Sequence, residues 1–205
     1  IQAIKQEAMN AATTKYLLRN LNDDAERFPT GKGANTAGAI KQWMQAAGQL
    51  PGVGPGIKKI IGDYSDPVAA LEALQKNAGQ LTRATLKDAE GKAASEYAMI
   101  QKQLPNAELS PGGLKLITAQ MTAPEDYKQA KLQAADKWRA SHNGTIDGFA
   151  SDWNKNIGPG AFLFGRLPPN EQTGLVERLK KTPAGMEALQ SLRSQMKWAH
   201  ENGLS

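Results

Sequence analysis

Apolar residues recur every three or four positions along most of the chain, which is the spacing of amphipathic helices. No segment shows the strict alternation of a half-buried strand. The pattern therefore predicts an all-α protein, a multi-helix array of short amphipathic helices with Pro/Gly corners that can be extended. The clearest helical stripes cover residues 1–21, 37–49, 66–90, 93–104 and two segments that begin at Pro168-Pro169 and Thr182-Pro183.

Residues 104–153 hold the densest set of helix start and stop signals. Ser110-Pro111 is typical of an N-cap followed by the first helical residue. Thr122-Ala123-Pro124-Glu125 has the spacing of a capping box, with Glu125 reaching back to the Thr122 backbone. Asn143-Gly144 suits a left-handed helix end, and Thr145 can cap a following helix. These signals predict three short helices that meet at two sharp corners.

Composition shifts divide the chain into residues 1–49, 50–157 and 158–205. The last segment opens with a predicted loop, Gly158-Pro159-Gly160, followed by the aromatic-aliphatic run Ala161–Phe164. This run fits a short strand, a helix start or an exposed plug that docks into a neighbour. Phe162, Leu163 and Phe164 are therefore candidate partner-docking residues.

Bulk composition limits the classes of function. Aromatic residues make up only 6% of the chain, so we expect a modest core and additional burial against partners, including copies of itself. The absence of cysteine excludes disulfides, thiolate metal sites and a cysteine nucleophile. No apolar run approaches about 20 residues, so we expect no integral membrane segment. The net charge of +5 is well mixed along the chain and favours nucleic-acid binding only weakly.

The segment Leu50–Ile61 resembles the hairpin of a helix-hairpin-helix DNA-binding motif, through its Leu-Pro-Gly-Val-Gly core. Glycine-rich turns at a helix N-terminus expose backbone N–H groups that bind phosphate without reading sequence. The resemblance implies DNA backbone contacts from the turn glycines and from the two lysines that follow. The alternative is a structural corner between two helices. The candidate contact residues are Gly52, Gly54, Gly56, Lys58 and Lys59.

Catalytic and metal-binding patterns are sparse. Thr30-Gly31-Lys32-Gly33 lacks the spacing and the preceding strand of a phosphate-binding loop. His142 and His200 stand on different elements, so we expect structural use, no metal site and no cofactor. Glu96 is the single carboxylate that suggests a glycosidase acid, because the neighbouring Tyr97 could raise its pKa. The tryptophans and Phe149 are better interpreted as core anchors.

Residues 66–153 resemble a helical segment of tailed-bacteriophage structural proteins. The resemblance rests on Pro105-Asn106, Leu109-Ser110-Pro111, the helix through Trp138, and the turn from Asn143 to Phe149. It implies a non-enzymatic virion protein that assembles with other virion proteins, either an internal or DNA-ejection component or a part of the head–tail or tail apparatus. It implies no catalytic residue. Two alternatives stay open: a sequence-independent DNA-binding protein that uses residues 40–62, and a virion-associated peptidoglycan-degrading enzyme.

Overall fold

The computed structural model describes residues 1–26, 34–50, 54–61, 92–104 and 111–204. Those residues form helices and no strand, which confirms the all-α prediction. The predicted helix over 66–90 and the Ser110 cap lie outside them. The helices are α1 (Gln2–Glu26), α2 (Ala34–Ala47), α3 (Gly54–Ile61), α4 (Lys92–Lys102), α5 (Pro111–Ser141), α6 (Phe149–Asn156), α7 (Pro159–Arg166), α8 (Pro169–Leu179) and α9 (Pro183–Glu201).

Helix α5 is the centre of the fold. It is 31 residues long, and α1 and α7 both pack along it. Residues 116–125 of α5 are all buried, so neighbours surround this helix on every side along that stretch. The apolar core continues from α4 through α5 into α6, α7, α8 and α9. Ile4 of α1 and Ile1, which precedes that helix, pack against it. Packing thus crosses both of the boundaries that composition suggested, at residues 49/50 and 157/158.

The prediction that α5 would break at Thr122–Glu125 is wrong. Pro124 has no N–H to donate to the carbonyl of Gln120, and a proline inside a helix usually kinks or ends it. Here the Tyr97 hydroxyl of α4 donates to the Gln120 carbonyl oxygen at 3.2 Å. The Thr122 hydroxyl donates to the Thr118 carbonyl at 2.7 Å and caps nothing. A tertiary hydrogen bond therefore replaces the missing helical one, and the helix continues.

Two other predictions, a helix end after residue 21 and a loop at residues 158–160, are also wrong. Helix α1 runs past Asn22-Asp23-Asp24 to Glu26, because Asn and Asp disfavour a helix interior by only about 0.7 kcal/mol each, which packing along α5 can offset. The predicted loop at residues 158–160 is instead the start of α7, with Pro159 in its first turn. Proline suits that position because the first N–H groups of a helix have no helical partner.

The prediction that Thr145 caps the next helix is wrong, because Gly148 is the N-cap of α6 and Thr145 hydrogen-bonds to Asp147 instead. The other signals of this part of the chain are confirmed. Asn143 and Gly144 both have positive φ, 53° and 83°, directly after α5. Pro169 begins α8, and the Thr182 side chain caps α9 by accepting from the Gly185 backbone N–H at 3.1 Å. Helix α9 ends just before Asn202-Gly203. Across the described ranges, no helix is both long and apolar enough to cross a membrane.

Candidate functional site

Glu96 lies in a polar cluster between α4 and α9. Its side chain is buried, and the residue is only 7% exposed. The Ser191 hydroxyl donates to Oε2 at 2.9 Å, and the Gln195 amide lies 3.1 and 3.0 Å from Oε1 and Oε2. The same amide nitrogen lies 2.9 Å from Ser191 Oγ. Two side chains one turn apart on α9 thus converge on one buried carboxylate of α4.

Helix α7 joins this cluster through its N-terminus. The Gly158 backbone N–H donates to Gln195 Oε1 at 2.9 Å, which leaves the Gln195 amide group facing Glu96. A Cβ added at Gly160 would lie 2.8 Å from Ile100 Cδ1, so the start of α7 lies close against α4. The Glu96–Ser191–Gln195 cluster therefore connects α4, α7 and α9.

An open groove of 630 Å³ lies on the solvent side of the cluster. Its lining includes Ser191, Gln195 and Gly158, together with charged residues such as Lys155, Glu187 and Lys197. The two side chains that bind Glu96 thus form part of the groove wall, and Glu96 is buried behind them. Held by these donors, its carboxylate serves as a hydrogen-bond acceptor that braces helices, and it is not presented to a ligand in the groove.

A second buried glutamate, Glu125, lies in the middle of α5. Burial raises its pKa above the ordinary value of 4.5, an effect opposed by the charge and the hydrogen bond of Lys128 and increased by the negative charge of Asp126. Lys128 Nζ lies 3.2 Å from Glu125 Oε1. Glu125 therefore works as a buried ion-pair partner within one helix, and the capping role expected for it is wrong.

The histidines stand apart from both carboxylates. His142 stacks on Trp138 with ring centroids 3.9 Å apart and an interplanar angle of 4°. Its Nδ1 lies 2.9 Å from both Ser141 Oγ and the Trp138 carbonyl oxygen. His200 is exposed in the last turn of α9. In the part of the chain that the structure describes, no three metal-ligating side chains come together.

The glycine-rich hairpin is only partly described. Gly52 lies outside the described residues, while Gly54 begins α3 and is buried. A Cβ at Gly54 would lie 2.5 Å from the Gly48 carbonyl oxygen, so this glycine is required by the close contact with the end of α2. Gly56 is half-buried, and Lys58 and Lys59 are exposed in the last turn of α3. Packing accounts for Gly54, and DNA contact by the hairpin stays a prediction.

The run Ala161–Phe164 is helical, which is one of the three structures that the sequence allowed. It packs against the core of its own chain. Leu163 is fully buried in the core, so its assignment as a docking residue is wrong. Phe162 and Phe164 are half-buried against that core, and the Phe162 ring meets Tyr127 edge-on at 5.9 Å. Docking therefore stays a prediction for Phe162 and Phe164 alone.

Phe162 also lines a groove of 450 Å³, which we call the Phe162 groove. Its apolar lining includes Ile157, Met196 and Leu204, and Met196 is 42% exposed. At one side, Asp126 binds Lys15 at 2.6 Å and Arg166 through two contacts at 2.5 and 3.0 Å. An apolar floor with charged groups at its rim resembles the apolar core and polar rim of protein interfaces.

The sequence pointed to Glu96 but missed its partners. Ser191 and Gln195 are four residues apart, so they share one face of α9, and this face is otherwise the apolar stripe that includes Leu192. A glutamine inside an apolar stripe was the available signal, because a buried amide requires a polar partner. No protein-family model, curated protein or solved structure matches this chain.

Proposed function

We propose that this chain is a non-enzymatic structural protein of a tailed-bacteriophage virion, either an internal or DNA-ejection protein or a component of the head–tail or tail apparatus. It would act in the virion by packing against copies of itself and against neighbouring virion proteins. The resemblance of residues 66–153 supports this proposal, and so does the structural role of their long central helix α5, along which other helices assemble.

The Phe162 groove is the observation that favours assembly most. It combines the aromatic ring of Phe162, the exposed side chain of Met196 and Leu204 in one open concave surface. Methionine adapts its shape to different partners, and aromatic side chains are enriched at the centres of protein interfaces. A second copy of the chain or a neighbouring virion protein would bury this apolar surface.

The environment of Glu96 supports the non-enzymatic part of the proposal. A general acid must reach the bond that it protonates, whereas Glu96 is buried behind Ser191 and Gln195 and accepts hydrogen bonds from both. The peptidoglycan-degrading alternative predicts turnover of purified peptidoglycan that Glu96→Gln abolishes. Our proposal predicts no release of soluble fragments by either form. Turnover by the native chain that is absent from Glu96→Gln would overturn our proposal.

Self-association provides the direct test of the groove. We expect light scattering of the purified chain to show a mass that rises with protein concentration towards a defined oligomer. Met196→Glu places a charge in the groove and should shift the concentration for half-association upward by about tenfold, since burying an unpaired carboxylate is strongly unfavourable. Met186→Glu is the matched control, because Met186 is 44% exposed on the same helix and does not line the groove.

The two variants separate the outcomes. Association that Met196→Glu weakens and Met186→Glu leaves unchanged supports assembly through the Phe162 groove. A native chain that stays monomeric at every concentration, or equal effects of the two variants, contradicts it.

A further inference from the structure

The open groove of 630 Å³ beside the Glu96 cluster has two walls, and we call it the α9 groove. One wall is a single face of α9 from Glu187 to Glu201, a length of about 21 Å, since each of the fourteen steps rises about 1.5 Å. The other wall is the end of α6 and the residues that follow it, Asn154–Gly158. Both walls belong to the range 111–204, which the structure describes without a gap.

Uncharged groups that both donate and accept hydrogen bonds line the middle of the α9 groove. They are four amide side chains and two hydroxyls: Asn154, Asn156, Gln190, Gln195, Ser191 and Ser194. An amide presents an acceptor oxygen and two N–H donors, and a hydroxyl presents both kinds of group. Among the described residues, the exposed amides of Asn154 and Gln190 hydrogen-bond to no other group of the chain. These two amides are therefore open to a ligand.

The buried part of the wall is held in place by hydrogen bonds. Gln195 is only 8% exposed, its Oε1 accepts from the Gly158 backbone N–H, and its amide nitrogen faces Glu96 and Ser191 Oγ. Gln195 Oε1 and Ser191 Oγ each accept one bond within the chain, which leaves each a second lone pair. Groups that are already oriented lose little conformational entropy when a ligand binds.

An indole ring stands beside these polar groups. Trp198 lines the groove and is half-buried, and its ring meets Trp153 of the core edge-on, with ring centroids 6.0 Å apart. It follows Gln190 by eight residues on the same helix, a distance of about 12 Å along the axis. The face of an aromatic ring has partial negative charge and attracts C–H groups that have partial positive charge. The groove thus combines amides with a fixed aromatic surface.

The charged groups around the groove have both signs. Among its described lining residues are two lysines, Lys155 and Lys197, and two glutamates, Glu187 and Glu201. Lys197 Nζ lies 3.7 Å from Glu201 Oε1, so one lysine is paired with one glutamate. Attraction of a polyanion requires a lining of one sign of charge. The mixed lining therefore favours a neutral ligand.

A sugar has the chemistry that complements these groups. Its hydroxyls donate and accept hydrogen bonds as the amides do, and the C–H groups of its ring form an apolar face for an indole. Peptides are recognised by other surfaces, either a sheet edge or an apolar groove that takes the apolar face of a helix. The described residues contain no strand, and the middle of the α9 groove is polar.

We propose that the α9 groove binds a neutral oligosaccharide, with sugar hydroxyls on the amides of Asn154 and Gln190 and one sugar ring on Trp198. This site goes beyond the assembly function and does not depend on it. Binding without cleavage agrees with the buried position of Glu96 behind the groove wall. The elongated face of α9 suits several linked sugars better than a single one.

Isothermal titration of the full chain with chitotetraose and with maltotetraose, two soluble neutral oligosaccharides, tests the proposal. At least one of them should bind saturably, with one site per chain. Its affinity should change by less than about twofold between about 50 and about 500 mM salt, since salt screens interactions between charges. A nucleic acid or another polyanion in the groove would instead show a steep fall of affinity with salt.

The two open amides provide a variant that keeps the fold. Asn154→Ala/Gln190→Ala should weaken binding about tenfold, because two hydrogen bonds to the ligand are lost. Gln2→Ala/Asn170→Ala is the matched control, because it removes the same two kinds of amide from exposed positions on α1 and α8 that do not line the groove. The control should bind like the native chain. All four side chains are exposed, so both variants should keep the native unfolding midpoint.

The contribution of Trp198 is tested separately. Trp198→Leu keeps an apolar side chain but removes the aromatic face, and it should weaken binding about fivefold, whereas Trp198→Phe keeps a ring and should lose less. Because Trp198 packs on Trp153, circular dichroism checks that these variants fold, and the amide pair decides the outcome if they do not.

Four results would overturn the proposal. They are no saturable binding of either oligosaccharide, equal losses in the groove and control amide variants, an affinity that falls steeply with salt, or equally tight binding of a neutral glycine-serine peptide of similar mass.

Discussion

Two glutamates are buried among the residues that the structure describes, and each is held in a different way. Glu96 of α4 accepts hydrogen bonds from two neutral side chains of α9. Glu125 of α5 faces the ammonium group of Lys128 on its own helix. The first connects distant parts of the chain, and the second has a pKa raised chiefly by burial. Each difference has a measurable consequence.

Glu125 should make the stability of the protein depend on pH. Its pKa is raised above 4.5 in the folded protein, so above that pH the native state holds a proton that the unfolded chain has released. The stability contributed by protonated Glu125 is complete below the pKa of this residue in the unfolded chain. It is lost as the pH rises through the pKa of Glu125 in the folded protein. Glu125→Gln removes the titration, so the variant should gain stability relative to the native chain as pH rises from about 4 to about 7.

Urea unfolding at several pH values measures this difference. Glu177→Gln is the matched control, because Glu177 also pairs with a lysine three residues later, Lys180, but its side chain is 62% exposed. The difference for the control should not widen with rising pH. A stability difference between Glu125→Gln and the native chain that stays constant over the range would disprove the expected role of Glu125.

Glu96→Gln should destabilise the fold. An amide has one acceptor atom where the carboxylate has two, and its own N–H groups would face the Ser191 and Gln195 donors. A buried donor left without an acceptor costs about 1–3 kcal/mol. Chemical denaturation should show a loss in that range, whereas Glu187→Gln on the exposed face of α9 should lie within about 0.5 kcal/mol of the native chain. An unchanged unfolding free energy in Glu96→Gln would contradict the bracing role.

At the scale of single residues, the sequence predicted the burial of the aromatic side chains but not the hydrogen-bond partners of Glu96. Burial of Trp43, Phe149 and Trp153 is confirmed, since helical spacing alone places large rings on an inner face. The environment of Glu96 could not be predicted in the same way. Its partners lie 95 and 99 residues further along the chain, and only the tertiary arrangement of α4 and α9 brings them together.

At the scale of the element, helix α5 shows how tertiary contact overrides a local helix signal. Thr122–Glu125 has the residues of a helix start, and a helix interior is an unfavourable place for Pro124. The helix nevertheless continues, because Tyr97 from α4 donates to the carbonyl that Pro124 leaves without a helical donor. Helix starts at Pro169 and Pro183 were predicted correctly, because their prolines lie in a first turn, where no helical bond is lost.

A double-mutant cycle tests this account of α5. Tyr97→Phe should cost about 1–3 kcal/mol of unfolding free energy, since the Gln120 carbonyl then has no donor from either helix. In the Pro124→Ala background, the restored N–H of residue 124 can bond to Gln120, so the same change should cost about 1 kcal/mol less. Tyr16→Phe on the exposed face of α1 is the control and should be near neutral. Equal costs of Tyr97→Phe in the two backgrounds would show that the hydroxyl does not compensate for Pro124.

At the scale of the whole molecule, the all-α class followed from periodicity, while the arrangement of helices did not. Short helices with corners were expected, but α1 and α5 are 25 and 31 residues long and pack along each other. Amphipathic spacing identifies a helix and its inner face, but it contains no information about which helix covers that face. The Phe162 groove arises from such pairings, and so it was not visible in the sequence.

The assembly of this chain into a virion is the central claim, and co-purification with intact particles tests it most directly. For a phage genome found to encode the chain, particles from producing cells would be banded by density, and the chain would be quantified by mass spectrometry against the major capsid protein. We expect it at a constant ratio across the particle band, and purified chain added to finished particles should remain outside that band. Recovery of the chain only in the soluble fraction, with none in the band, would contradict the claim.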